Sequence, residues 1–160
     1  MILEIKREVL RRGITRICHF TPSRNLLHIA SGGQGILATK HLTLDERAVF
    51  NPTDLLRLDN YPDHISCSIE YPNVWYFAKK RGEEIIFPDW VIMLIKPDYL
   101  WLKGTKFSPV NAARGSGYYI GEGLKAFQNL FSDHPDRNVV QNTCRVVLLM
   151  TRQKCWFPIK

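Results

Sequence analysis

Three places in the chain combine a residue type capable of chemistry with a telling neighbourhood. His19 closes the apolar stretch Ile17-Cys18-His19-Phe20 and stands beside Thr21-Pro22, a hydroxyl followed by proline that signals a helix start. Free backbone N–H groups at such a junction can hold a ribose or a phosphate; a histidine there can equally be a satisfied core residue. Arg57 is a charge among leucines in Leu55-Leu56-Arg57-Leu58, placed either to clamp a pyrophosphate or to snorkel from an apolar face. Trp75-Tyr76-Phe77 could stack a base or fill a core. No Ser-His-Asp order, P-loop, GxGxxG or HExxH is present. Cys18, Cys67, Cys144 and Cys155 lack CxxC spacing, so neither a disulfide framework nor a metal site is expected.

The elements that must position these residues are short. Ile2, Ile5 and Val9 recur at helical spacing before Gly13 and predict a helix over 2–12, with Lys6, Arg7, Arg11 and Arg12 on its other side. That basic face is either simply solvated or in contact with a phosphate backbone. Residues 15–20 read as a strand. A helix capped by Thr21, with Pro22 at its first position, runs through Asn25, Leu26 and Ile29 to Ser31-Gly32-Gly33. Gly35-Ile36-Leu37 reads as a loop entering a short strand. Residues 39–62 form a long connection of the kind that is often functional. Residues 64–69 alternate as a strand with one buried face. Lys79-Lys80-Arg81-Gly82 reads as an exposed turn, and the continuous apolar run Trp90–Ile95 as a buried strand. Residues 115–123 read as flexible, and 124–131 as a helix with Leu124, Phe127, Leu130 and Phe131 on one face. The mixture is that of a single α+β domain spanning 1–160.

Twenty-two Lys and Arg against 15 Asp and Glu leave a net charge of +7. Such an excess fits a polyanionic partner such as nucleic acid, or simply a basic protein. The N-terminus intersperses charges among its apolar residues and shows no secretory h-region. Trp90–Ile95, the longest apolar run, is far too short to span a membrane. A soluble protein of a reducing cytosol is expected.

Taken in order, the sequence blocks resemble the DarT-type toxins, NAD-dependent enzymes that ADP-ribosylate bases in single-stranded DNA. The resemblance opens with Ile17-Cys18-His19-Phe20-Thr21-Pro22-Ser23-Arg24-Asn25-Leu26 and Gly35-Ile36-Leu37. It continues through Asp45-Glu46-Arg47-Ala48, Thr53-Asp54-Leu55 and Arg57-Leu58-Asp59, then His64-Ile65-Ser66-Cys67-Ser68-Ile69-Glu70-Tyr71-Pro72-Asn73. It ends with Asp89-Trp90-Val91, Phe107-Ser108-Pro109 and Asn111-Ala112-Ala113, and so covers roughly residues 14–132. It implies an ADP-ribosyltransferase-like fold, with a split antiparallel β core and short helices gripping NAD as co-substrate. By position, His19 and Thr21 would hold the nicotinamide-side ribose, and Asn25, Leu26 and Gly35 would line the cofactor slot. Arg57, with Arg47 as the alternative, would bind the phosphates and steady the departing nicotinamide. Tyr71 and the aromatic segment at 71–77 would wall the nicotinamide pocket, and Asn111 and Arg114 would lie toward the DNA. Family members act in the bacterial cytoplasm and usually travel with a macrodomain antitoxin, DarG-like, that removes the modification.

The family's chemistry also uses a glutamate in a late strand whose motif resembles Gln-Ala-Glu-Val-Leu-Val, and this chain has no such motif. After Phe131 its only acidic residues are Asp133 and Asp136. Back-translated and moved by two bases, the tail from Leu148 to Pro158 permits that motif, with only Asp, Leu and Val forced by the codons. This points to a phase shift near 137–143 and an atypical tail over about 140–160, in which Leu148, Leu149, Trp156 and Phe157 make few native-like contacts. The competing view is a naturally divergent tail, with a genuine strand at Val146–Met150. Two other functions stand beside the transferase. One is a non-catalytic remnant that binds single-stranded nucleic acid or the antitoxin, favoured by the absent glutamate. The other is a relative of tRNA 2′-phosphotransferases, against which the Ser68-Ile69-Glu70-Tyr71-Pro72-Asn73 block speaks.

Overall fold

The computed structural model describes residues 2–31, 35–49, 57–84, 86, 88–133 and 145–150. The described residues include five α-helices: α1 (Ile2–Arg11), α2 (Arg24–Ser31), α3 (Leu44–Val49), α4 (Val74–Glu83) and α5 (Leu124–Asn129). Six strands accompany them: β1 (Ile17–Pro22), β2 (His64–Ile69), β3 (Trp90–Ile95), β4 (Lys106–Ser108), β5 (Gly121–Glu122) and β6 (Val146–Met150). The strands form one sheet in the order β3-β1-β2-β6-β4-β5, and every pairing is antiparallel. The chain is thus an α+β domain built on a six-stranded antiparallel sheet.

The core lies on one face of that sheet. Ile5 and Val9 of α1 and Phe127 of α5 bury against Ile17, Ile69, Val147 and Leu149, together with Leu100 and Phe107. Gly13, at φ 65°, ends α1: its N–H bonds to the Leu10 carbonyl, and that of Ile14 to the Val9 carbonyl. This left-handed cap is one a side chain would resist. The helix expected over 124–131 ends at Asn129, and Leu130 and Phe131 follow in a turn; Phe127 and Leu130 are fully buried, with Leu124 and Phe131 packed beside them.

Several sequence expectations are corrected. Thr21 and Pro22 do not open a helix; they pair with Val91 and Trp90 as the end of β1. The chain turns at Ser23, whose carbonyl accepts from Leu26 N–H, before α2 begins at Arg24. Residues 35–38 form no strand. The connection over 39–62 contains a 3₁₀ turn at Thr39–His41 and helix α3, with 50–56 outside the described residues. Helix α3 starts with a capping box, Thr43 and Glu46 bonding reciprocally. Lys79 to Gly82 are helical rather than a turn. Asn73 caps α4 by accepting from Tyr76 N–H, and the exposed Gly82 is carried through the helix. Residues 115–123 are structured, with a 3₁₀ turn at Arg114–Gly117 and strand β5.

Three strands are buried differently from their pattern. In β2 only Ser66 is exposed, because the strand is flanked by β1 and β6 and covered on both faces. Trp90–Ile95 is the sheet's edge, not a buried strand: Ile92 and Leu94 face outward. Val146–Met150 lies between β2 and β4, with Val147 and Leu149 in the main core. Leu148 packs with Val146 and Ala112 on the other face. The expectation that Leu148 and Leu149 would fail to pack is therefore overturned. Every residue of Val146–Met150 is apolar, and the slot between β2 and β4 buries the first four of them, Val146 to Leu149. Trp156 and Phe157 lie outside the described residues.

Candidate functional site

Strand β1 pairs with β2 at only two positions, Ile17 with Ile69 and Cys18 with Ser68, and then follows β3 for its whole length. Strands β1 and β2 thus diverge after Cys18, and a cleft of about 460 Å³ opens at the split. That size suits a small-molecule or nucleotide ligand. One wall is residues 18–21 with Asn25 and His28 of α2; β2 supplies residues 64–68. Trp75, Tyr76, Lys79 and Lys80 of α4 line it as well, together with Arg57, Asp59, Asn111 and Val146.

His19 spans the split. Its Nδ1 lies 2.9 Å from the Ser66 carbonyl. A carbonyl only accepts, so Nδ1 carries the proton and Nε2 the lone pair. Burial holds the ring below its ordinary pKa of 6.5, against the opposing pull of the Ser66 carbonyl. The imidazole is therefore neutral at neutral pH. Two residues on, Thr21 Oγ1 accepts from Asn25 Nδ2 at 2.8 Å, and both side chains are buried. This bond ties the end of β1 to α2. It leaves the threonine O–H free to turn toward a ligand acceptor.

Arg57 reaches the cleft but is held as a strut. It sits at φ 41°, and its guanidinium grips Asp59 through Nε at 3.1 Å and Nη2 at 3.0 Å. It also donates to the His64 carbonyl at 2.8 Å and to the Tyr61 carbonyl. Asp59 is 2% exposed and accepts from Tyr61 N–H as well. The loop before β2 is thereby locked, and the next wall docks onto it. Asn60 donates to the Ser116 carbonyl at 2.8 Å, and Gly117 lies so close to the Asp59 carbonyl that a Cβ there would sit 2.5 Å away. Gly117, at φ 87°, is required on both counts. Arg47 is exposed on α3, donates to the Lys40 carbonyl at 3.5 Å, and does not line the cleft.

The structure gathers His19, Thr21, Asn25, Gly35, Arg57 and Asn111 at this one cleft. It leaves out Leu26, Tyr71 and Arg114. The helical phase of α2 turns Asn25, His28 and Ile29 inward and Leu26 outward, at 43% exposure. Tyr71 is 64% exposed, its ring beneath the Arg16 guanidinium at 5.6 Å. Arg114 stands exposed at the start of its 3₁₀ turn, and the Asn111 side chain accepts from Ala113 N–H at 3.0 Å. Trp75 and Tyr76 form the aromatic wall, while Phe77 packs with Phe20 and Trp90. Sequence reasoning missed His28, Glu46, Lys79 and Lys80. The lysines were detectable, because Trp75/Lys79 and Tyr76/Lys80 share the helical i,i+4 spacing.

Among the described residues, the carboxylates lining the cleft are Glu46 and Asp59. Glu46 is engaged in the capping box, where the Thr43 N–H holds its carboxyl below the usual range; Asp59 is held by Arg57. Glu70 is elsewhere, accepting from Thr15 and Arg16. The late strand β6 presents Val146 to the cleft. Among the described residues no group of three or more His, Cys, Asp or Glu is arranged to hold a metal ion. No described helix is long and apolar enough to cross a membrane. The chain matches no protein-family model, and no curated protein matches it significantly.

Proposed function

We propose that this α+β domain has the ADP-ribosyltransferase-like fold of the DarT-type enzymes, that its cleft binds NAD, and that the chain binds without efficient transfer of ADP-ribose. One observation carries the reading. A neutral His19, the Thr21–Asn25 pair, Trp75 and Tyr76 all line the one cleft at the β1/β2 split. Ring nitrogen, hydroxyl and amide suit a ribose; aromatic faces suit a base. A cleft of about 460 Å³ takes up part of a dinucleotide and leaves the rest in solvent.

Transfer asks for more. As nicotinamide leaves, positive charge builds on the ribose, and a carboxylate beside it stabilises that charge and takes the proton from the attacking base. In this chain the late strand offers Val146, and Glu46 and Asp59 are committed to backbone and guanidinium. Without such a group the rate falls about 100- to 1000-fold. Single-stranded DNA as acceptor, a DarG-like macrodomain as partner and the bacterial cytoplasm as location come with the family reading, and the +7 charge agrees with a polyanion.

Titrating the chain with NAD tests this directly, with released nicotinamide and modified single-stranded oligonucleotide measured in parallel. Saturable binding with neither product is expected. Absence of binding removes the cofactor reading; ready modification of the oligonucleotide removes the non-catalytic one.

A further inference from the structure

We infer that Lys79 is the cation of the cleft that holds a ligand phosphate, with Trp75 as the ring for the attached base, so that the ligand is a phosphorylated nucleotide. This rests on reading the cleft as a nucleotide site and replaces Arg57 in the phosphate role. Arg57, Lys79 and Lys80 are the lysines and arginines that line the cleft among the described residues. Turning Arg57 toward a phosphate would strip Asp59 of its partner and leave a carboxylate that is 2% exposed unpaired, which the fold resists strongly. Lys80 is bound to Glu83 at 2.8 Å. Lys79 has no carboxylate within ion-pair distance among the described residues; its ammonium lies 5.8 Å from the Trp75 ring centroid.

The pair is built by the helix. Trp75 and Lys79 are one turn apart on α4, so their side chains stack along one face. Asn73 fixes the start of that helix. Phe77 anchors it from below against Phe20 and Trp90. The indole is 53% exposed although it lines a cleft, and it takes no part in the ring contacts that join Phe20, Tyr76, Phe77 and Trp90. A base laid on that ring brings its phosphate toward the ammonium, and lysine meets phosphate as a point charge without needing the bidentate geometry Arg57 already uses on Asp59.

The test is a set of titrations of the full chain with NAD, ADP and phosphate-free adenosine. For Lys79→Ala, affinity for ADP and NAD is expected to fall about tenfold or more, and adenosine to change less than about twofold. Lys79→Arg should keep most of the ADP affinity, and Trp75→Ala should weaken adenosine and ADP alike. Lys125→Ala, on the far helix α5, should bind as the parent does. Alanine on an exposed helix position favours folding, so the variants report on binding. Undiminished ADP affinity in Lys79→Ala overturns the inference. Lys79-dependent binding of ADP without binding of NAD sustains it while removing the dinucleotide reading. Binding of none of the three ligands overturns both.

Discussion

Strands β3 and β6 carry six and five successive apolar residues, and on paper Trp90–Ile95 is the better candidate for the interior. The molecule puts them the other way round. Among the described residues β3 pairs with β1 alone and leaves Ile92 43% and Leu94 57% exposed, whereas β6 has a partner on each side and buries Leu148 completely. An unbroken apolar run states that both faces tolerate burial; it does not state that both faces are covered. Coverage is decided by distant elements. For β6 these are α1 and α5 with their core on one face, and Ala112, Tyr61 and Ile120 on the other.

A buried charge separates the two strands most sharply. Leu148→Asp buries an unpaired carboxylate in the middle of the sheet and removes a fully packed leucine. Together these cost as much as the whole stability of a typical domain, about 5–15 kcal/mol, so cooperative unfolding should be abolished. Leu94→Asp should fold. Circular dichroism with chemical denaturation reads both, and a well-folded Leu148→Asp would mean that β6 is not the central strand. The gentler pair sharpens the scale. Leu148→Ala should cost about 2–5 kcal/mol, and Leu94→Ala no more than about 0.5 kcal/mol; equal losses would erase the distinction.

A smaller effect concerns β1, the strand between β3 and the cleft. His19, opposite Met93 of β3, is held below pKa 6.5 by burial. The unfolded chain takes up a proton there more readily than the native one. The residue's contribution to stability is therefore complete above about pH 6.5 and is lost as pH falls below that value. His19→Asn, which keeps a donor for the Ser66 carbonyl, should flatten the decline of the denaturation midpoint between about pH 7 and pH 5. An unchanged slope would show that the imidazole is not kept neutral by its site.

How much of this was legible follows the range of the interactions. Helices α1 and α5 were readable, since Ile5, Val9, Phe127 and Leu130 declare a buried stripe locally. The α+β class was readable from short strand and helix patterns in alternation. The grouping of His19, Thr21, Asn25 and Arg57, by contrast, was expected only from the family resemblance and from a helix start at Thr21-Pro22 that the fold does not contain. Pro22 misled, because a proline that ends a strand and one that opens a helix look alike when the partner strand is some seventy residues away. The Lys79 turn misled because Gly82 outweighed a cap at Asn73. Arg57 among leucines was ambiguous as written: only the fold shows Asp59 and two carbonyls around its guanidinium. Val146 was invisible as a cleft residue, since that role depends on which strands flank β6.

If the cleft takes up a dinucleotide and strand β6, packed as core, gives it no carboxylate for transfer, NAD should bind to this chain without being cleaved. Equilibrium titration of the full chain with NAD, with free nicotinamide followed in the same samples, tests it most directly. Saturable binding with nicotinamide release no faster than in buffer is the expected result. Nicotinamide released catalytically, or no binding of NAD at all, would contradict the account.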